Sequence, residues 1–354
     1  GIADTEYSGY YDVNGQRVCI QDGKVASDYT DVTYDGEAWV YVENGVVRYD
    51  YTGIKPNSIG WWRIEDGKVN LDYNGFASNE NGRFYLQDGK VNFDYTDIIP
   101  DGEDWVYVEN GQVNNSYTGV RQNDNGWWRV EAGKVNFGYN GLAENEYGWW
   151  VIKDGNVDFD CNGLIEDEKG WFYIKDGMVD WSYTGLASNE AGWFYVKNGT
   201  IDWNYTGLYE SESVWFYINS GIIDWGYSGV AENESGWWKC SGGTIDYNYT
   251  GLVDNGDEVW MISSGKADFD YNGYVSNANG TFYVEAGKVN TNANGVMSKD
   301  DALVYVKNGQ VRYDYTGMAE YNGQRVYINN GVVDYTYTGL ASDEAGTWKM
   351  KDGI

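Results

Sequence analysis

A glycine stands at every twenty-second residue of this chain, from Gly1 through Gly23, Gly45 and Gly67 to Gly353. A second glycine, closing Tyr-Thr-Gly or Tyr-Asn-Gly, keeps the same step from Gly9 to Gly339, with Asp31 and Asp97 in its place in two units. No insertion or deletion breaks the spacing over 354 residues. A period of this length marks a repeat architecture, in which one supersecondary unit buries its apolar surface against its neighbours. The sequence therefore predicts 16 tandem units of 22 residues.

Positions within the unit are counted from the first glycine. Asp or Asn precedes it in 11 of 16 units, as in Asp66-Gly67 and Asn198-Gly199. Asx-Gly tolerates positive φ at both residues and suits the type I′ turn of a β-hairpin. Three before the glycine stand aliphatic residues (Ile64, Val130, Ile174, Val196, Ile218), and five before it large apolar ones (Trp62, Trp128, Phe172, Phe194, Phe216). The two positions share one strand face. After Gly177 come Met178, Val179, Asp180, Trp181, Ser182 and Tyr183. This alternation predicts a second half-buried strand with +2, +4 and +6 inward. Tyr fills +6 in 14 of 16 units, Cys161 and Ala293 being the exceptions. Its phenol is expected to pack inward and give its hydroxyl to a nearby backbone group. The polar run after Leu142, Leu164, Leu186 or Leu208 reads as a link to the next hairpin.

One unit buries about five large side chains, worth roughly 1.5–3 kcal/mol each. Ordering its backbone costs on the order of 20–40 kcal/mol, so it must stack. The expected fold is all-β, a superhelical solenoid of hairpins forming one continuous array over residues 1–354. Gly1-Ile2 and Gly353-Ile354 fall at the turn, so the chain reads as an excerpt of something longer. Thr30-Asp31-Val32 with Trp39-Val40-Tyr41 recurs 66 residues on as Thr96-Asp97-Ile98 with Trp105-Val106-Tyr107. A three-hairpin superhelical turn and a block duplication both account for that.

The net charge is −31 with a sequence pI near 4.1, which repels phosphate backbones and anionic membranes. No apolar run is long enough for a transmembrane helix, so membrane insertion is not expected. Histidine is absent, which removes the usual general base and the commonest zinc ligand. Cys19, Cys161 and Cys240 are too widely separated in an extended array for a disulfide, and read as apolar fillers. Asp158/Asp160 and Asp268/Asp270 put carboxylates on one strand face, where Ca²⁺ or a glycosidase pair comes to mind. No Asp-x-Asp-x-Asp-Gly loop accompanies them, and repeated hairpins offer no closed pocket. Neither an enzyme, a metal site nor a cofactor is expected.

The informative positions are −6 and −4, read as the outward face of the first strand. Trp fills −6 in nine of 16 units, and Val259, Thr281, Leu303, Arg325 and Thr347 replace it towards the C-terminus. The candidate ligand-binding residues are Trp149, Trp171, Tyr173, Trp193, Tyr195, Trp215, Tyr217 and Trp237. Aromatic stripes of this kind stack sugar rings or cage quaternary ammonium groups. The competing reading packs these tryptophans between adjacent hairpins.

The unit Gly170-Trp171-Phe172-Tyr173-Ile174-Lys175-Asp176-Gly177-Met178-Val179 resembles the aromatic β-hairpin repeats of bacterial surface proteins. Similar repeats are the choline-binding and other cell-wall-binding repeats, the glucan-binding repeats of glucansucrases and the receptor-binding repeats of clostridial toxins. The Trp-Trp-x-Ile wording is most similar to secreted repeat proteins of gut Clostridia. The resemblance implies a non-catalytic binding region of an exported bacterial surface protein, extracellular, attaching to carbohydrate or cell-wall polymer through aromatic grooves between hairpins. It also implies, as alternatives, a host-protein adhesin binding a host glycoprotein or immunoglobulin, or a passive stalk. The present unit departs from the choline-binding pattern in lacking a second Gly-Trp and in its more acidic link.

Overall fold

The computed structural model describes residues 4–354, so the turn expected at Gly1 lies outside the described residues. They fall into two compact units, one running through Gly170 with Ile174–Asp180, the other comprising Trp171–Tyr173 and Trp181–Ile354. The same 22-residue hairpin recurs in both. Among the described residues every regular element is a strand, and no helix is long and apolar enough to cross a membrane. The solenoid of stacked β-hairpins expected from the period is the observed architecture.

Each repeat contains three strands rather than two. In the first unit Gly53–Asn57 pairs antiparallel with Gly60–Glu65, and only the two-residue strand Lys68–Val69 follows the turn glycine. In the second, Gly207–Ser211, Val214–Asn219 and Ile222–Ile223 repeat the pattern. The polar run read as a link is thus the long partner strand, and the strand expected after the turn stops early. Position +3 explains why. The Asn70 side-chain oxygen accepts the backbone N–H of Asp72, and the Tyr73 position leaves the ladder. In the next repeat Tyr95 N–H donates to Asn92 O. An Asx turn competes with the sheet and bends the chain away from it.

The turns are type I′ as predicted, with φ 47° at Asp66 and 76° at Gly67. Stacking is written into the backbone beside them. Tyr41 N–H donates to Gly67 O at 2.9 Å and Gly67 N–H donates to Tyr51 O at 2.9 Å. Val40 and Lys68 form a one-residue antiparallel bridge between successive hairpins. The Thr or Asn of Tyr-Thr/Asn-Gly caps the next turn: Thr52 Oγ1 accepts from Asp66 N–H (3.2 Å) and Asn74 Oδ1 from Asp88 N–H (3.1 Å). The +6 tyrosines spend their hydroxyls as expected, Tyr183 donating to Leu186 O at 2.7 Å. These contacts span fixed sequence distances, so an insertion in one unit would misplace its partners in the next.

Within each unit the core is a file of small clusters between successive hairpins. Val32 and Tyr41 from one hairpin meet Ile64 from the next, with Tyr51, Trp62 and Val69 around them. Tyr195, Ile218 and Ile223 form the equivalent in the second unit, with Leu186, Tyr205 and Phe216. Both faces of an interior hairpin are therefore covered. Cys240 is one such filler beside Leu208, Ala231 and Ile245, and burial pushes its thiol up to about 11.

Candidate functional site

Where hairpins stack, three ring positions converge: −6 of one unit, then −5 and +4 of the next. In the first unit Trp61 meets Phe84 (centroids 5.2 Å apart) and Phe93 (5.7 Å), and Trp105 meets Trp128 (5.4 Å) and Phe137 (6.0 Å). Trp127 meets Trp150 at 5.3 Å and Phe159 at 6.4 Å. In the second unit Trp171 stacks on Phe194 at 5.9 Å, and Phe194 meets Trp203 edge-on. Trp237 meets Trp260 at 5.2 Å, which touches Phe269 at the same distance.

The +4 ring was expected to face inward. It does not. Phe93, Phe137, Phe159, Trp203, Trp225, Tyr247 and Phe269 are each close to half-exposed, Trp225 reaching 53 %. The bend at +3 releases +4 from the sheet, so it closes its groove from outside as a wall that remains open to solvent. This row is the part of the site that strand alternation missed. Its sequence signal is the Asx residue at +3.

The eight residues singled out from the sequence divide by type. Trp193 and Trp215 line grooves between hairpins, Trp171 and Trp237 pack on rings of the next hairpin, and all five tryptophans but Trp193 are half-buried. Trp193 is the most exposed of them at 45 %. With Phe216 and Trp225 it walls a cavity of about 390 Å³, completed by Leu186, Val214 and Ile223 and edged by Glu212. Trp215 lines a groove of about 450 Å³ with Tyr205, Tyr209, Glu210, Glu232 and Glu234. Trp149 lies under the Lys169 ammonium, 4.0 Å from the ring centroid. The tyrosines are placed differently. Tyr195 is only 7 % exposed and packs on Tyr205 at 4.4 Å, which corrects its expected outward position. Tyr173 and Tyr217 lie flat against Tyr183 and Tyr227, with centroids 3.6 and 3.5 Å apart. The −4 side chains belong to the stacking core because the next hairpin covers the face that a single hairpin would expose.

Where −6 is arginine, the side chain pairs with an aspartate of the next hairpin instead. Arg17 meets Asp35 at 2.7 Å, Arg83 meets Asp101 at 2.6 Å and Arg325 meets Asp343 at 3.0 Å. The carboxylates considered for calcium have local duties, Asp158 Oδ1 accepting from Asp160 N–H and Asp268 Oδ1 from Asp270 N–H. Among the described residues no three acidic or thiol side chains gather as a metal site.

Stacked β-hairpins with aromatic clefts at their interfaces define a repeat-built binding module. The repeats match the choline-binding repeat at residues 28–48, 50–70, 72–92, 94–114, 116–136, 138–158, 161–180, 182–202, 204–224, 226–246, 270–290 and 314–334. The chain belongs to that family. Among solved structures it is similar to CbpF in complex with ipratropium (16 % identity, 92 % of this chain and 98 % of that one, TM-score 0.22). It is also similar to an alternansucrase in complex with isomaltononaose, at 14 % identity over 70 % of this chain and TM-score 0.23, and spans 19 % of that chain. A multimodular pneumococcal cell-wall endolysin from phage Cp-1, complexed with choline, shares 20 % identity over 50 % of this chain and 54 % of its own, with TM-score 0.21. No curated protein matches the chain.

Proposed function

We propose that the array is a non-catalytic binding region of an exported bacterial surface protein, holding carbohydrate or cell-wall polymer in its aromatic grooves. The observation that carries this reading is the Trp193–Phe216–Trp225 cavity, three rings around a space of about 390 Å³. Aromatic rings gathered around one space attract a compact onium group, and a ring face can also stack on the C–H side of a pyranose. Glu212 at the rim and the net charge of −31 favour a cation over an anion. Weak sites repeated along one chain hold a polymer with repeating substituents far more tightly than any single groove would, provided the polymer reaches several grooves together. Family membership supports a binding role. An extracellular, surface-attached location is part of the proposal.

Titration of intrinsic tryptophan fluorescence with choline chloride and with purified cell-wall polysaccharide tests it. Saturable quenching that is lost when Trp171, Trp193 and Trp215 are changed to Ala, with the fold retained, is the expected outcome. No response to any wall fragment or glycan would overturn it and leave the passive stalk. Capture of immunoglobulin or a host glycoprotein by the triple variant as by the parent would point to a surface other than these grooves.

A further inference from the structure

We propose that the groove at Trp127 takes an uncharged pyranose rather than an ammonium ion, so that one array reads two ligand chemistries. This rests on the reading that the grooves bind. The groove has a volume of about 670 Å³ and is walled by Trp127, Trp150 and Tyr147, with Met178 alongside. The Trp127 and Trp150 rings are 5.3 Å apart at 38°, and Tyr147 stands edge-on to Trp127 at 5.9 Å. Those walls suit a flat ligand with an apolar face.

What sets this groove apart is Arg121. The same position, ten residues after the turn glycine, holds Ala77, Ala143, Ala187 and Ala231 in other repeats, and Lys55, over the Tyr51 ring, is the other cation found there. Arg121 lies over Tyr117 with its guanidinium carbon 4.9 Å from the ring centroid, and its Nη1 pairs with Glu146 Oε1 at 2.6 Å. Its Nε is buried and has no hydrogen-bond partner. Glu146 pairs the charge and the side chain is 32 % exposed, so the Nη edge of the guanidinium is what a ligand acceptor can reach.

Three ligand charges can be weighed against these groups. A cation would meet the guanidinium at the mouth of the cage, and the ring quadrupoles of Tyr117 already serve that guanidinium. An anion would approach a chain of net charge −31 and meet Glu146. A neutral polyol avoids both conflicts. One hydroxyl oxygen accepts from a guanidinium Nη–H of Arg121, a neighbouring hydroxyl donates to the Glu146 carboxylate, and the sugar's C–H face lies on the indoles. The Trp193 cavity has no arginine or lysine in its lining and keeps the ammonium chemistry.

The test uses the full array labelled with ¹⁵N, following the Arg121 Nε–H and the indole N–H signals. The probes are choline chloride and two neutral trisaccharides, one of glucose and one of N-acetylglucosamine. The expected result is that a trisaccharide shifts Arg121, Trp127 and Trp150, whereas choline shifts Trp193 and Trp225. Arg121→Met should raise the trisaccharide dissociation constant about tenfold or more, as for loss of a hydrogen bond to a charged group, and leave choline unchanged. Glu146→Gln, which keeps Arg121 in place, should weaken the sugar and not choline. Choline shifting the Trp127 signals, or a trisaccharide affinity indifferent to both substitutions, would overturn the proposal. Trisaccharides that leave Trp127 and Trp150 unmoved while choline still engages Trp193 would overturn it without touching the broader reading. Silence of every groove towards every probe would remove both.

Discussion

A Cβ placed on Gly111 would stand 2.4 Å from the carbonyl oxygen of Asn92, one repeat earlier. Gly102, at the other turn of the same hairpin, has nearly the same φ (68° against 74°) and nothing within 4 Å. Both glycines have a positive φ, and only Gly111 is crowded by the preceding repeat. Gly102→Ala should cost about 1–3 kcal/mol, the ordinary penalty of a side chain at positive φ. Gly111→Ala should cost clearly more, because the stacked backbone must also move. Amide exchange across Asp97–Val113 in the two variants measures the difference. A loss at Gly111 no larger than at Gly102 would mean that crowding by the preceding repeat does not keep the turn glycine.

The cap between repeats makes a smaller and sharper prediction. Thr52→Val keeps shape and removes the acceptor of the Asp66 N–H. A neutral hydrogen bond contributes about 1 kcal/mol, so exchange at Asp66 should quicken about fivefold. Thr96→Val should do the same at Asn110.

Buried tyrosines set an alkaline limit. Tyr227 is pushed up to about 12, chiefly by burial and then by Tyr217, and Tyr95 also to about 12, by burial and then Asp97. In an unfolded chain both ionise near 10. Their folded pKa values are raised, so the stabilisation is complete below about pH 10 and drains away as pH climbs towards 12. Urea midpoints should hold steady to about pH 9.5 and fall between 10 and 12, together with the rise of tyrosinate absorbance. A midpoint insensitive to pH in that window would contradict the assignment.

Multivalency predicts a steep response to losing grooves. If each stacked indole contributes about 0.5–1 kcal/mol to polymer binding, a single Trp171→Ala, Trp193→Ala or Trp215→Ala lowers affinity by only a few fold. The triple variant should lose the product of the three, about tenfold to a hundredfold. Surface plasmon resonance on immobilised polymer reads both. A single variant that abolishes binding would show one dominant groove instead.

Much of this was legible in the residues. Asp66-Gly67 announced its turn, Ile64 its burial and Tyr183 the use of its hydroxyl, because each follows from local geometry. Tyr195 and Trp225 were not legible, and for opposite reasons. Alternation says which side of a ribbon a side chain leaves from, but not that another ribbon covers that side, so Tyr195 read as outward and is buried. It also assumes that the ribbon continues. Asp224 ends it, its Oδ1 accepting the N–H of Gly226 at 3.0 Å, and Trp225 leaves the alternation for the surface. The strand within the polar link was hidden because Glu and Asn mark loops when read singly, whereas here they pair with Trp-rich neighbours.

The backbone links from Tyr41 to Gly67 and from Gly67 to Tyr51 tie each hairpin only to its immediate neighbours. Under tension applied along the chain, links of this kind give way locally. Within either unit the hairpins should detach singly, each lengthening the chain by up to about 75 Å, the extended reach of one repeat. A polymer-anchored array of this kind would lose grooves one at a time under load and recover them one at a time on release, yielding to shear without letting go at once.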